Sequence, residues 1–220
     1  MSIRAFISLI KKCNTLPIRA TLSYLLLSGI TLLILFALYG GNKEYFTERV
    51  NDYKYHLVVI GGASEHIHKT CLYVVSSRIV TSSFSYFQWH HKNIIQKYIQ
   101  TLPQEQKIII LGHSWGGQTA AQICEKMPQR IKLLITLDPV GWKDNFYFPK
   151  KSVRWINVIP QANNFSLNNM IATLGHRWKN RQEAENININ CDHCSIDKML
   201  DAKSQSGKTL EEIIINLLKK

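Results

Sequence analysis

Hydrophobic positions along the chain gather into short continuous runs separated by stretches of helical spacing. Residues 55–60, 107–111 and 131–137 are almost wholly apolar and read as strands buried on both faces, with weaker strands at 153–159 and 186–189. A run rich in β-branched and aromatic residues at 79–84 adds one more expected strand. Between them, residues 66–77, 90–101 and 116–127 carry helical patterns, the last two stopped by Pro103 and Pro128. The closing helix, 210–219, puts Leu210, Ile213, Ile214 and Leu217 on one face, suited to docking on a sheet. Apolar strands alternating with helices predict an α/β domain with a mostly parallel sheet of about six strands covered on both sides. Ligands of such sheets bind beyond the carboxyl ends of the strands. The loops that begin at Gly61, Gly112, Asp138 and Asn190 are therefore the ones to inspect.

The N-terminal region breaks this rhythm. Residues 20–39 contain no charge and are long enough to cross a bilayer as a helix. A cleaved signal peptide is the competing expectation, but residues 35–41 offer no small-x-small cleavage pattern and the basic leader is long. The expected organisation is a basic leader at 1–19, a transmembrane anchor at 20–39, a connection at 40–54 and the α/β domain at 55–220. Arg4, Lys11, Lys12 and Arg19 all precede the first acid, Glu44, so the positive-inside rule puts the N-terminus in the cytoplasm. The domain is then expected on the outer side of the membrane, periplasmic or luminal/extracellular.

Composition adds less. With 45% hydrophobic and 10% aromatic residues the chain is ordinary globular material. The formal charge is +12, of which the four leader cations supply a third, and the excess favours anionic lipid headgroups as neighbours. No arginine-rich block or zinc-finger spacing is present, so nucleic acid is not expected as a partner. Of the five cysteines, Cys13 lies in the leader. The other four leave two disulfides open, although Cys124 reads more simply as a small buried residue. Cys191 and Cys194 bracket His193, but a zinc site there lacks a fourth ligand. No metal or cofactor is called for.

The most informative stretch is Gly112-His113-Ser114-Trp115-Gly116-Gly117, which joins an apolar strand to an amphipathic helix. A serine on so sharp a turn needs glycine two residues before and after it, where the backbones approach. The turn lifts the hydroxyl clear of the sheet and aims the helix N-terminus at the reacting centre. The same residues have the G-x-x-x-x-G spacing of a phosphate loop. There Lys and Ser or Thr should follow; here Gln118 and Thr119 do, and the lysine that grips phosphate is missing.

Serine needs a base, and His193, late in the chain between a weak strand and a helix, is the best placed of the 8 histidines. His113 should point away from the serine across the turn, and His56, His66, His90, His91 and His176 read as structural or solvated. Asp138 ends the strand after the elbow helix and is the expected acid, with Asp144 behind it; the loop 160–164 contains none. The chain order Ser114, Asp138, His193 suits this kind of site. Backbone amides of Gly61, Gly62 and Ala63, joined by that of Trp115, are candidates for binding an oxyanion.

These residues resemble the α/β-hydrolase superfamily, and the acid, 24 residues after the serine in a Leu-Asp-Pro context, is placed similarly to lipases of the pancreatic type. The resemblance implies Ser114 as nucleophile, His193 as base, Asp138 as acid and the Trp115 amide as an oxyanion donor. It spans roughly residues 55–200. The chain departs from those lipases in being much shorter, with no lipid-binding domain and no early antiparallel strands expected. The implied activity is cleavage of a lipid-like or acyl ester or thioester, a small-molecule substrate, at the membrane face, with no obligate protein partner. An acyltransferase with the same triad and an inactive binding module of the same fold are the alternatives. The run 142–151 mixes aromatics and lysines and suits a pocket wall, and Phe165, Leu167, Met170, Ile171 and Leu174 suit a small lid helix.

Overall fold

A computed structural model describes residues 45–46, 54–63, 65–79, 84–141, 153–161, 169, 172–173 and 175–220. The leader, the expected anchor at 20–39, the run 142–151, Asp144 and the five apolar lid candidates lie outside them. Among the described residues no helix is long and apolar enough to cross a membrane.

The elements follow in the order β1 (Tyr45–Phe46), β2 (Tyr55–Gly61), α1 (Glu65–His68), α2 (Thr70–Arg78), β3 (Phe84–Gln88), α3 (Lys92–Thr101), β4 (Lys107–His113), α4 (Trp115–Lys126), β5 (Ile131–Leu137), β6 (Arg154–Pro160), β7 (Glu185–Ile189), α5 (Ile196–Leu200) and α6 (Leu210–Leu218). The strands form one sheet in the order β1-β3-β2-β4-β5-β6-β7. All pairings from β3 to β7 are parallel. The short β1 runs antiparallel to β3 at the edge.

Alternate residues of each strand go to opposite faces, so the unbroken apolar runs fill two cores at once. Leu57 and Val59 of β2 and Ile109 and Leu111 of β4 pack under α2, α5 and α6. Val58, Ile60, Ile108 and Ile110 face α3 and α4. Each such fully buried aliphatic side chain contributes about 1.5–3 kcal/mol.

Three expectations need correction. The strand expected at 79–84 lies at Phe84–Gln88, because Ile79 is the C-cap of α2 and is buried under that helix's face of the sheet. The helix expected at 66–77 is two pieces, since Lys69 has left-handed φ (49°) and ends one turn before the next begins. An early antiparallel strand does exist, as β1. Its two residues sit in what reads as a polar connection and are too few to give a periodic signal.

The last helix begins in a reciprocal cap: Thr209 Oγ1 accepts from the Glu212 amide at 3.1 Å, and the Glu212 carboxylate accepts from the Thr209 amide at 2.7 Å. Thr209→Ala is expected to lower stability by ~1 kcal/mol in urea unfolding; an unchanged midpoint would show that packing of Ile213 and Ile214 alone holds α6.

Candidate active site

β4 and α4 meet at Ser114, whose backbone is strained at φ 55°, ψ −126°. The Ser114 amide donates to the Leu137 carbonyl of β5 at 3.0 Å. Its own carbonyl accepts from Gly117 and Val140 at 2.9 and 3.1 Å. So close a turn leaves no room for a Cβ at Gly112, which would strike the Gly116 carbonyl, or at Gly116, which would strike the Ile60 carbonyl of β2. Gly62 is likewise close: a Cβ there would lie 3.2 Å from Ser114 Oγ. Hence the Gly61–Ala63 loop and the first turn of α4, headed by Trp115, flank the hydroxyl.

Three side chains from three strand ends converge. His193 Nε2 lies 3.0 Å from Ser114 Oγ, and His193 Nδ1 lies 2.7 Å from Asp138 Oδ2. A carboxylate accepts, so the proton of the neutral ring sits on Nδ1 and the lone pair of Nε2 faces the serine hydroxyl. All three residues are buried, Asp138 completely. Asp138 also has left-handed φ, 41°, and its amide donates to Val158 of β6 at 2.9 Å. The turn Asp138-Pro139 thus directs the carboxylate to the strand edge instead of continuing β5.

Further residues support this group, and two of them, Arg177 and Asn169, carry no obvious signal in the sequence. Arg177 Nη2 donates to Asp138 Oδ2 at 2.8 Å, so one carboxylate oxygen serves both the imidazole and a guanidinium. Asn169 Oδ1 accepts from the His193 amide at 3.0 Å and from Arg177 at 3.4 Å, while its Nδ2 donates to Asp192 at 2.9 Å. The irregular segment that brings Arg177 here is tied to the sheet by Asn157, which donates to the Lys179 carbonyl, and by Asn186, which exchanges bonds with the backbone of Arg181. His113 points away from the serine, as its position in the turn predicts. Its Nε2 donates to the His193 carbonyl at 2.9 Å, and its ring stands 4.8 Å from that of His193.

Behind His113 lies Glu65, buried at the start of α1. Both its carboxyl oxygens accept from the Cys71 amide, at 2.9 and 3.1 Å, and Tyr86 Oη donates to one of them at 3.3 Å. The nearest Glu65 oxygen is 3.8 Å from His113 Nδ1. At neutral pH this contact is not an ion pair. Burial, with His193 alongside, pushes the His113 pKa down to about 3, and burial pushes the Glu65 carboxyl up to about 7. Because His113 must donate from Nε2 to a carbonyl, its Nδ1 carries a lone pair toward Glu65.

Of the other histidines, His56 joins a buried set with Ser85 (2.9 Å) and Tyr98 (3.2 Å). His90 and His91 stand edge-on to each other, and burial lowers the pKa of His91. Cys71, Cys124, Cys191 and Cys194 are all free thiols. Burial raises the pKa of Cys191 and Cys194 to about 11, so both are protonated at neutral pH. Among the described residues no cluster of metal-ligating side chains forms.

A protein-family model described as alpha/beta hydrolase fold matches residues 60–205. Among solved structures the chain is similar to Est1E from Butyrivibrio proteoclasticus with ferulic acid bound, at 12% identity over 81% of this chain and 96% of that one, TM-score 0.48. It is also similar to a thioesterase domain from the curacin biosynthetic pathway, at 12% identity over 81% and 99%, TM-score 0.45. A lidless a/b serine hydrolase from Xanthomonas campestris aligns at 10% identity over 80% and 86%, TM-score 0.48. No curated protein matches the sequence.

The Glu65 carboxyl generates a pH prediction. Its value in the fold, about 7, exceeds the ordinary 4.5, so the stability it contributes is complete below pH 4.5 and is lost as pH rises through 7. Glu65→Gln removes that loss. In urea unfolding, wild type should weaken relative to Glu65→Gln by about 2–3 kcal/mol between pH 5 and pH 8; parallel pH dependences would show that the carboxyl is not held neutral.

Proposed function

The chain belongs to the alpha/beta hydrolase fold family, and from that premise we propose that it is a serine hydrolase cleaving a carboxylic ester or thioester. The observation that carries this reading is the hydrogen-bonded series Ser114 Oγ, His193 Nε2, His193 Nδ1, Asp138 Oδ2, with bonds of 3.0 and 2.7 Å. The acid, at the end of the strand after the elbow helix, has the placement that resembles lipases of the pancreatic type.

In the proposed reaction Ser114 Oγ attacks the substrate carbonyl carbon while its proton passes to His193 Nε2. The carbonyl oxygen becomes an oxyanion, for which the candidate donors are the Trp115 amide, at the positive end of α4, and the amides of Gly62 and Ala63. Collapse expels the alcohol or thiol, which takes the proton from His193 and leaves an acyl-serine. Water then attacks the acyl carbon, giving its proton to His193; release of the acid returns that proton to Ser114. Asp138 holds Nδ1–H throughout and stabilises the imidazolium.

The charge-free run at 20–39 and the all-positive leader support attachment to a membrane with the N-terminus in the cytoplasm. Protease given access to the outer face of the anchoring membrane should then degrade the domain and protease confined to the cytoplasmic face should not; the opposite pattern would reverse the orientation.

The chemistry is tested directly by a fluorophosphonate probe. Wild type should label and Ser114→Ala should not, and equal labelling of both would reject the nucleophile. Asp138→Asn should lower kcat/KM on a chromogenic ester by about 10⁴-fold, because the amide favours the wrong imidazole tautomer.

A further inference from the structure

Residues 176–178 lie antiparallel to the turn that carries Asp138. The Trp178 amide donates to the Pro139 carbonyl at 2.8 Å, the Gly141 amide donates to the His176 carbonyl at 3.2 Å, and Val140 and Arg177 stand opposite each other between these bonds. His176 takes left-handed φ, 59°, directly before the arginine. Beyond it, Asn157 donates to the Lys179 carbonyl at 3.4 Å. The Arg177 backbone is therefore fixed against the acid's own turn, and its guanidinium has a short, defined path to the carboxylate.

The side-chain geometry is more selective than a charge pair requires. Arg177 Nη2 donates to Asp138 Oδ2 at 2.8 Å, and His193 Nδ1 donates to the same oxygen at 2.7 Å. Asp138 Oδ1 is buried and has no donor among the described residues. Arginine–carboxylate pairs frequently take the bidentate form, which uses both oxygens. Here two donors fill the lone pairs of one oxygen, which fixes the carboxylate relative to the imidazole. The same Nη2 donates to Asn169 Oδ1 at 3.4 Å, and that oxygen accepts from the His193 amide at 3.0 Å. Arg177 thus reaches the base by two routes, through the carboxylate to the ring and through Asn169 to the backbone. Its side chain is 20% exposed and that of Asp138 is fully buried, so solvent screens the pair weakly.

We propose that Arg177 is a positioning residue for the reaction at Ser114: it holds the Asp138 carboxylate toward the imidazole and compensates its buried charge, acting through Asp138 and not on the substrate. The proposal rests on the hydrolase reading given above. Two consequences separate this role from that of a merely structural ion pair. Removing the guanidinium frees the carboxylate to turn, which costs rate in the steps where His193 moves a proton and leaves substrate binding alone. It also removes a cation, so the Asp138–His193 pair takes up a proton at higher pH, whichever of the two receives it. The other titratable groups around the pair are His113 and Glu65 behind it, Asp192 across Asn169, and Cys191 and Cys194 on either side of His193. All five are common to wild type and the variants, so a difference between pH profiles belongs to Arg177.

The test measures kcat and KM on a chromogenic ester across the acid and neutral range, per mole of folded full-length protein, for wild type, Arg177→Gln and Arg177→Lys. Arg177→Gln should lower kcat about tenfold with KM little changed. Its acid limb of kcat/KM should move up by about one pH unit. Arg177→Lys keeps the charge and should return that limb to its wild-type position. A double-mutant cycle asks whether the effect passes through the acid: in an Asp138→Asn background, Arg177→Gln should cost no further kcat/KM. That pair of variants also decides the matter if Arg177→Gln alone fails to fold, because with Asp138 replaced no buried carboxylate is left uncompensated. An unshifted acid limb in Arg177→Gln, an equal shift in Arg177→Lys, a rise in KM in place of the fall in kcat, or a further loss in the Asp138→Asn background would overturn the role of Arg177 while leaving the hydrolase reading intact. Failure of wild type to turn over the ester, together with absent fluorophosphonate labelling, would remove the hydrolase reading and this role with it.

Discussion

The close crossing of β4 and α4 constrains everything around it. A strand that ends in a serine at φ 55° and turns at once into a helix brings the backbones of Gly112, Gly116 and β2 into contact, and no side chain fits between them. The strain is held by hydrogen bonds from both sides, to Leu137 of β5 and from Val140 beyond it. It follows that the serine and the acid-bearing turn are not independent: the residues that fix Ser114 are the neighbours of Asp138. Two non-glycine residues with left-handed φ thereby stand on adjacent strand ends, the arrangement expected where rigid strands present side chains beyond the sheet.

This coupling explains what the sequence made legible. Ser114, Asp138 and His193 each announce themselves locally, by flanking glycines, by an aspartate-proline turn after an apolar strand, and by a histidine between a short strand and a helix. Strand continuity was equally readable, because both faces of the sheet are covered and the runs at 107–111 and 131–137 needed no alternation to stand out. The misplaced strand at 79–84 fails for a physical reason. Ile79 is apolar because it closes the buried end of α2, and the pattern does not distinguish that from the start of β3.

The supporting residues were not legible, since each acts through contacts distant in sequence. Glu65 meets His113 across 48 residues, and Asn169 and Arg177 reach His193 and Asp138 from sequence positions between β6 and β7. The polar positions Asn157 and Asn186 carried the one usable signal. An asparagine flanked by apolar residues in a parallel strand must find partners, and here both Asn157 and Asn186 hold the segment that delivers Arg177.

Arg177 changes how the acid is to be understood. In a two-partner arrangement the whole charge of a buried aspartate supports the imidazole; here one oxygen of Asp138 receives both the imidazole N–H and the guanidinium. A buried carboxylate needs compensation, and the arginine supplies it permanently. In the proposed reaction that fixed positive charge would stand near the imidazolium and oppose its formation. His113 reduces that opposition by remaining neutral: its burial strips the proton that would have put a second cation against His193. Arginine on one side and a neutral histidine on the other therefore set the surroundings of the candidate pair: one compensates Asp138 and the other keeps further positive charge away from His193.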